Sequence, residues 1–264
     1  FRLTVLLLLL QITNPMFSQQ NLNSQFTVVV DAGHGGKDPG NTGNGYLEKK
    51  IALSIALKLG KKLEDNGVKV VYTRKSDVFV NLFERANIAN RSNAQLFVSI
   101  HCDSHTSQAY GAGTFVLGLH ANQRNFEVAK KENSVIFFEE DYINKYEGFD
   151  PNNPESVIGL TLMQEEYLDQ SIVAASYIQN SFVNKLNRRN RTVKQAGFIV
   201  LKYTYMPSVL VETGFLTNNS EGAYLNSVRG QNEMADAIAS AVIDYKNDFF
   251  QNLSTTNLND DLNQ

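Results

Sequence analysis

The apolar positions of this chain alternate between short continuous runs and longer stretches with helical spacing. Short apolar runs predict strands, which cover residues 26–31, 68–72, 96–100, 114–117, 198–201 and 208–211. Apolar residues three or four apart predict helices, which cover residues 48–66, 81–90, 166–186 and 229–245. Strands and helices therefore follow one another along most of the chain.

This alternation predicts an α/β fold: a single domain with a mostly parallel, twisted sheet that helices cover on both faces. Residues 96–100 are apolar except for Ser99, as expected of a strand buried on both sides. The domain is predicted to span residues 26–248. Residues 120–165 interrupt the pattern with scattered charges and turn residues, which indicates a helical insertion on the surface. The polar residues 249–264 predict a disordered tail.

The first 19 residues, FRLTVLLLLLQITNPMFSQ, combine a basic residue, an apolar run and then small and polar residues. This order is typical of a signal peptide, and the apolar run is short for a membrane span. We expect an exported protein, periplasmic or extracellular, without a stable membrane span after removal of the signal; an uncleaved anchor is the alternative. The net charge of −3 indicates no surface for nucleic acid.

Side chains suited to metal binding follow the ends of the predicted strands. His34 lies in the glycine-rich VVVDAGHGGKDPG, His101 directly follows LFVSI, Glu48 opens the first helix and Glu212 ends SVLV. Functional groups of parallel sheets gather at the carboxyl ends of the strands. Two histidines and one carboxylate with an open fourth position form a catalytic zinc set, and a further carboxylate can take a proton from water. The pattern therefore predicts a metal site that suits Zn²⁺, and another divalent ion stays open.

Each of these residues has an ordinary interpretation when taken alone. The glycines around His34 could cradle a phosphate, although the spacing of phosphate-binding loops is absent. Glu48 could be an ordinary first-turn acid that interacts favourably with the helix dipole, and Glu212 could be a strand-end residue in a salt bridge. Their joint placement at one sheet edge favours the metal site.

Neighbouring candidates are interpreted differently. Cys102 follows His101 on extended chain, so its side chain should point to the opposite face, and we expect a small buried residue. It is the only cysteine of the sequence, so no internal disulfide is expected. His105 is predicted in a surface loop, and His120 opens the insertion without an evident partner. Four basic residues could contact substrate carboxylates or be solvated or structural: Arg74, Arg85, Arg191 and Lys194.

Four segments, in order, carry a resemblance to a known family: VVVDAGHGGKDPG, YLEKKIALSIALKL, LFVSIHCDS and KQAGFIVLKYTYMPSVLVETGFLTN. The chain resembles the zinc-dependent N-acetylmuramoyl-L-alanine amidases, bacterial enzymes of cell-wall remodelling and cell separation. The resemblance implies hydrolysis of the amide between N-acetylmuramic acid and L-alanine in peptidoglycan. It makes His34, Glu48 and His101 the zinc ligands and Glu212 the catalytic carboxylate. HCDS stands where the family often has HANA or HCNA, which leaves His101 intact.

Some members of this family carry an extra helical segment at the position of the insertion, which blocks the site until a partner protein removes it. The resemblance therefore implies a regulatory insertion in which Glu132, Glu139 or Glu140 caps the open position of the metal, with an activator protein as a partner. A plain surface elaboration is the alternative. Two other functions stay open: a catalytically silent peptidoglycan-binding relative, and a zinc peptidase that cuts within the stem peptide.

Overall fold

The computed structural model describes residues 25–119, 122–157 and 165–262. The predicted signal peptide and His120 lie outside the described residues. The strands, in chain order, are β1 (Thr27–Ala32), β2 (Thr42–Gly43), β3 (Tyr46–Leu47), β4 (Lys69–Tyr72), β5 (Leu96–Asp103), β6 (Ala112–Leu117), β7 (Asn190–Ala196) and β8 (Ser208–Phe215). The helices are α1 (Glu48–Asp65), α2 (Leu82–Arg91), α3 (Gln123–Asn133), α4 (Tyr142–Lys145), α5 (Glu165–Leu186), α6 (Ile199–Lys202), α7 (Asn219–Asn226) and α8 (Val228–Leu262).

Within the described part of the chain, six strands form one sheet in the order β4-β1-β5-β8-β6-β7. Every neighbouring pair is parallel except β6 and β8, which run antiparallel. Helices cover both faces of the sheet. Successive residues of each strand point to opposite faces, so neighbouring residues pack against different helices. Val28 packs on the side of α1, α5 and α8, and its neighbour Val29 packs on the side of α2 and α6. The predicted α/β fold is confirmed.

The insertion is helical, as predicted, and packs on the second face of the sheet. Its described part holds α3, α4 and two short 3-10 segments, Ser134–Phe138 and Pro154–Val157. Ile136 and Tyr146 are fully buried among the apolar residues of that face. This packing brings the end of α3 over the carboxyl edge of the sheet. None of the helices in the described segments is both long and apolar enough to cross a membrane.

One predicted strand is wrong. Residues 198–201 form most of the short helix α6, and the strand of this region is β7. Ile199 and Leu201 are apolar because they are buried against the second face, and a short apolar run alone does not distinguish a strand from a buried helix. β7 carries no apolar run, because it is an edge strand that pairs with β6 alone.

The end of the last helix also differs from the prediction. The pattern predicts that it ends near Tyr245, with a disordered tail from residue 249, but α8 continues to Leu262. The rings of Phe249 and Phe250 lie 5.6 Å and 6.0 Å from the ring of Phe26, which precedes β1. Two aromatic residues in an otherwise polar segment therefore extend the buried side of the helix past its predicted end.

Candidate metal site

Four buried side chains converge at the carboxyl edge of the sheet: His34, Glu48, His101 and Glu132. One donor atom of each lies within 4.8 Å of the others. Glu48 Oε2 lies 3.1 Å from His34 Nε2, and Glu48 Oε1 lies 3.1 Å from His101 Nδ1. Zinc–ligand bonds of about 2.0–2.2 Å separate neighbouring donors by roughly 3.3 Å in a tetrahedral site. These four residues could therefore hold a metal ion.

The glycine-rich turn after β1 makes room for the two imidazole rings. His34 itself has a φ of 60°, an unusual value for a residue with a side chain. A Cβ atom at Gly33 would lie 2.5 Å from the ring of His101, and one at Gly40 would lie 2.6 Å from the ring of His34. The two rings approach to 4.9 Å between centroids because both positions are glycine.

Hydrogen bonds from neighbouring groups orient the donors. Asp38 Oδ2 lies 2.7 Å from His34 Nδ1, which turns His34 Nε2 toward the cluster. The backbone N–H groups of Asn41 and Cys102 each donate to one oxygen of Glu48, at 2.8 Å. Asp38 was not among the predicted site residues, although a carboxylate four positions after His34 in the same turn is a usable signal.

The carboxylates of this cluster favour positive charge at its centre. Burial by itself would lower the pKa of His101, but Glu132 and Glu48 outweigh it and raise that pKa to about 9. Burial likewise opposes the effect of Glu48 and Glu132 on His34, whose pKa is nevertheless held well above its ordinary value. Either protonated rings or a bound cation can supply the charge.

Glu212 lies beside the cluster on the neighbouring strand. It pairs in register with His101 across β5 and β8, and both of its carboxylate oxygens are buried without a hydrogen-bond partner. Burial raises the pKa of Glu212 well above the ordinary value, and the carboxylates of Asp103 and Glu132 add to the effect. This carboxyl group is suited to holding a proton and releasing it.

The three acids predicted to cap the site have different positions. Glu132, near the end of α3, places Oε2 at 3.1 Å from His34 Nε2 and 3.0 Å from His101 Nδ1. Glu139 is buried elsewhere and accepts a hydrogen bond of 2.7 Å from the Tyr146 hydroxyl. Glu140 is exposed. Only Glu132 of the three reaches the cluster.

The four basic candidates separate into two pairs. Arg74 and Arg85 are buried, and they donate to backbone carbonyls that include those of Gly33 and His34 respectively. For these two the structural alternative applies, because burial in the core turns their donors toward the backbone. Arg191 and Lys194 instead line a cavity that also contains Glu212.

Cys102 and His105 lie where the pattern places them. Cys102 is fully buried on the side of α1, opposite to His101, with its sulfur 3.2 Å from Thr213 Oγ1. His105 is exposed in the loop after β5 and bonds to Ser107. Neither side chain belongs to the cluster.

Comparison with known proteins agrees with this geometry. The family model of the N-acetylmuramoyl-L-alanine amidases matches residues 28–244. N-acetylmuramoyl-L-alanine amidase AmiA of Escherichia coli is 36% identical over 225 residues, which cover 83% of this chain and 75% of that protein.

Solved structures give the same relationship. The amidase AmiC2 of Nostoc punctiforme has a TM-score of 0.63 at 30% identity, covering 84% of this chain and 97% of that one. The CwlD amidase of Clostridioides difficile, solved in complex with the GerS lipoprotein, has a TM-score of 0.62 at 27% identity, covering 84% of this chain and 99% of that one. The chain described here belongs to the N-acetylmuramoyl-L-alanine amidase family.

Proposed function

We propose that this protein hydrolyses the amide bond between N-acetylmuramic acid and L-alanine in peptidoglycan, for cell-wall remodelling or daughter-cell separation. One observation carries the proposal: two imidazoles and a carboxylate surround one point, and Glu212 lies beside them on the next strand with both oxygens unpartnered. The activity named for the relatives supports this choice of substrate.

The donor set fits Zn²⁺. His34 Nε2 is buried and makes no well-aligned hydrogen bond, as expected of an atom that ligates a metal. We assign His34, Glu48 and His101 as the ligands, because two nitrogens and one carboxylate oxygen form a known catalytic zinc set. When bound, zinc lowers the pKa of water and polarises a carbonyl.

Glu212 carries the proton transfers in this proposal. Its carboxylate takes a proton from the attacking water and then donates that proton to the nitrogen of the departing L-alanine. A carboxyl group can perform both steps when its pKa lies near the working pH, and the buried position of Glu212 raises its pKa in that direction.

We also propose that α3 blocks the site until a partner protein displaces it. Glu132 is the fourth donor of the cluster, with Oε2 at 3.0 Å and 3.1 Å from the two histidine donors, so it would fill the position that the three assigned ligands leave open for the reaction. The relative CwlD, solved together with the GerS lipoprotein, is a precedent for an amidase that assembles with a second protein.

Export follows from this substrate. Peptidoglycan lies outside the cytoplasmic membrane, so we propose that residues 1–19 are a signal peptide and that the protein acts in the periplasm or outside the cell.

The test is digestion of purified peptidoglycan by protein that lacks residues 1–19 and carries Glu132→Ala, so that α3 does not block the site, with products identified by mass spectrometry. We expect stem peptides with a free L-alanine amino terminus, and their loss with a chelator or in Glu212→Gln. Glu64→Gln, which changes an exposed glutamate of α1, is the matched control and should retain activity. Cuts within the stem peptide would show a peptidase instead.

The blocking role of α3 has its own pair of variants. Glu132→Ala should raise the basal rate at least about tenfold, because it clears the approach to the cluster. Glu127→Ala, which changes an exposed glutamate of the same helix, should leave the rate unchanged. Equal rates for the two variants would make the insertion a surface elaboration. Binding to peptidoglycan without any product in either variant would identify a silent relative.

A further inference from the structure

We propose that Lys194 and Arg191 of the edge strand β7 form a subsite for a carboxylate of the stem peptide, on the leaving-group side of the scissile amide. This inference rests on the proposed amidase function and deepens it by naming the part of the substrate that the cations recognise.

Both cations line the cavity that contains Glu212. Lys194 pairs with Phe115 in the β6–β7 ladder, and its ammonium lies 4.5 Å from the centre of the Phe115 ring. The same ammonium lies 2.9 Å from the place where a Cβ atom would stand on Gly113. Gly113 in turn pairs with Glu212 across β6 and β8, so the Lys194 side chain reaches over the strand next to the catalytic carboxyl group.

Asp103 and Glu212 line the same cavity and attract these cations, but in the described structure neither carboxylate forms an ion pair with Lys194 or Arg191 within 4.0 Å. Lys194 is half-buried, and among the described residues its ammonium packs on the Phe115 ring without a hydrogen bond or a close ion pair. Arg191 uses only Nε, which donates to the Tyr110 carbonyl at 2.9 Å, while its guanidinium lies 4.8 Å from the centre of the Phe215 ring. Lys194 and most of the Arg191 guanidinium therefore keep donors that no described acceptor occupies, and half-buried cations of this kind can take a further anionic partner.

The position of the subsite identifies that partner. Glu212 donates to the departing L-alanine nitrogen, so a group next to Glu212 faces the stem peptide rather than the sugar. The residue that follows L-alanine in stem peptides is D-glutamate, whose α-carboxyl group is free in some cell walls and amidated in others. Its free carboxylate matches the two cations, because ammonium and guanidinium groups bind carboxylates by charge-assisted hydrogen bonds.

Arg124 lies near the same cavity but is not part of the proposed subsite. It stands on α3, 3.9 Å from Asp103, and it would leave with that helix when the site opens. Lys194 and Arg191 stay, because β7 belongs to the central sheet.

Two muropeptides that differ only at the D-glutamate α-carboxyl group, free or amidated, test the proposal. All variants carry Glu132→Ala so that the site is open. We expect the parent to prefer the free acid at least about tenfold in kcat/KM. Lys194→Met should lose this preference through a higher KM for the acid, with the amide little changed, and Lys194→Arg should retain most of it.

Two further variants separate the subsite from a structural effect. Gly113→Ala adds a methyl group against the Lys194 ammonium without changing any charge. It should raise KM for the muropeptide with the free acid and leave the amidated muropeptide little changed. Lys69→Met changes an exposed lysine on β4, at the opposite edge of the sheet, and should leave kcat/KM on both muropeptides unchanged. An equal fall in kcat on both substrates in Lys194→Met would instead make Lys194 a positioning residue for Glu212 and overturn the subsite.

Binding distinguishes failure of this inference from failure of the amidase function. Calorimetry with the free stem peptides needs no turnover, and the acid should bind about tenfold more tightly than the amide unless Lys194 is changed. Equal binding of the two peptides by the parent overturns the subsite, whether or not the protein cleaves peptidoglycan.

Discussion

Asp31 lies near the end of β1, three residues before His34, and its carboxylate is fully buried. Arg85 donates to Asp31 Oδ1 at 2.6 Å and to the His34 carbonyl at 2.7 Å. Burial by itself would raise the pKa of Asp31, but Arg85 outweighs it, with hydrogen bonds from Ser99 and Thr73, and lowers that pKa below 3.8. This pair therefore supports the backbone that carries a proposed ligand.

Arg85→Met should lower the free energy of unfolding by about 3–5 kcal/mol, because it leaves a buried carboxylate without its cation. Urea unfolding measures the change. Arg91→Met on the same helix removes an exposed pair with Glu84 and should cost less than about 1 kcal/mol. Similar losses in the two variants would contradict the assignment.

The same pair predicts a pH dependence. Asp31 has a lowered pKa in the folded state, so its contribution is complete above the unfolded value of 3.8 and disappears as the pH falls below it. In Arg85→Met burial is no longer offset by the guanidinium, so the folded pKa of Asp31 rises and its part of the acid limb, the loss of stability at low pH, should shrink or reverse. Unfolding curves recorded between pH 3 and pH 7 measure that limb.

Asp38 gives a prediction about metal affinity. Its carboxylate bonds to His34 Nδ1 and fixes the ring with Nε2 toward the cluster. Asp38→Asn should weaken zinc binding by about 10–100-fold, measured by competition with a coloured chelator. Asp65→Asn, at the exposed end of α1, should bind zinc as tightly as the parent. Unchanged affinity in Asp38→Asn would count against His34 as a ligand.

Two hydrogen bonds of Asn133 join the end of α3 to the domain, in addition to the apolar packing of the insertion on the second face. Asn133, the last residue of α3, accepts a hydrogen bond of 2.9 Å from the Ile199 N–H and donates one of 2.7 Å to the Gly197 carbonyl. It is buried, and it directly follows Glu132. The start of α6 therefore holds the end of α3 at the cluster.

Asn133→Ala should loosen α3, because it leaves two buried backbone groups without partners at a cost of about 1–3 kcal/mol each. Amide hydrogen exchange should become faster in residues 123–138 and stay unchanged in β5. The control is Ser134→Ala, whose hydroxyl bonds only to the Lys131 carbonyl within the insertion. Faster exchange throughout the sheet would indicate general destabilisation instead of release of α3.

Across the molecule as a whole, the proposed metal acts as a ligand of the folded state. Zinc should raise the melting temperature, because an ion at about 1,000 times its Kd stabilises the folded state by about 4 kcal/mol. His101→Ala should abolish this shift, whereas His105→Ala, in the exposed loop just beyond β5, should retain it. A shift that survives in His101→Ala would place the ion elsewhere.

Local pattern in the sequence was sufficient for most elements and for the candidate ligands. Apolar runs and helical spacing report which residues are buried, and the period of those positions separates strands from helices in most segments. Parallel strands end at one edge of the sheet, so the sequence alone predicts that His34 and His101 lie together. β7 and the end of α8 lack the continuous apolar signal that such reasoning requires, and the apolar run at α6 belongs to a buried helix instead of the predicted strand.

Contacts between distant segments were decided only by the tertiary structure. The strand order, with β8 between β5 and β6, sets Glu212 beside His101, and no local pattern contains that order. The choice of Glu132 among three acids depends on how α3 packs against the second face. The roles of the basic side chains also depend on the packed chain. Arg85 pairs with Asp31 in the core, whereas Lys194 lines the cavity that contains Glu212. Burial and pairing of a charge depend on which distant residues surround it, and local sequence does not contain that information.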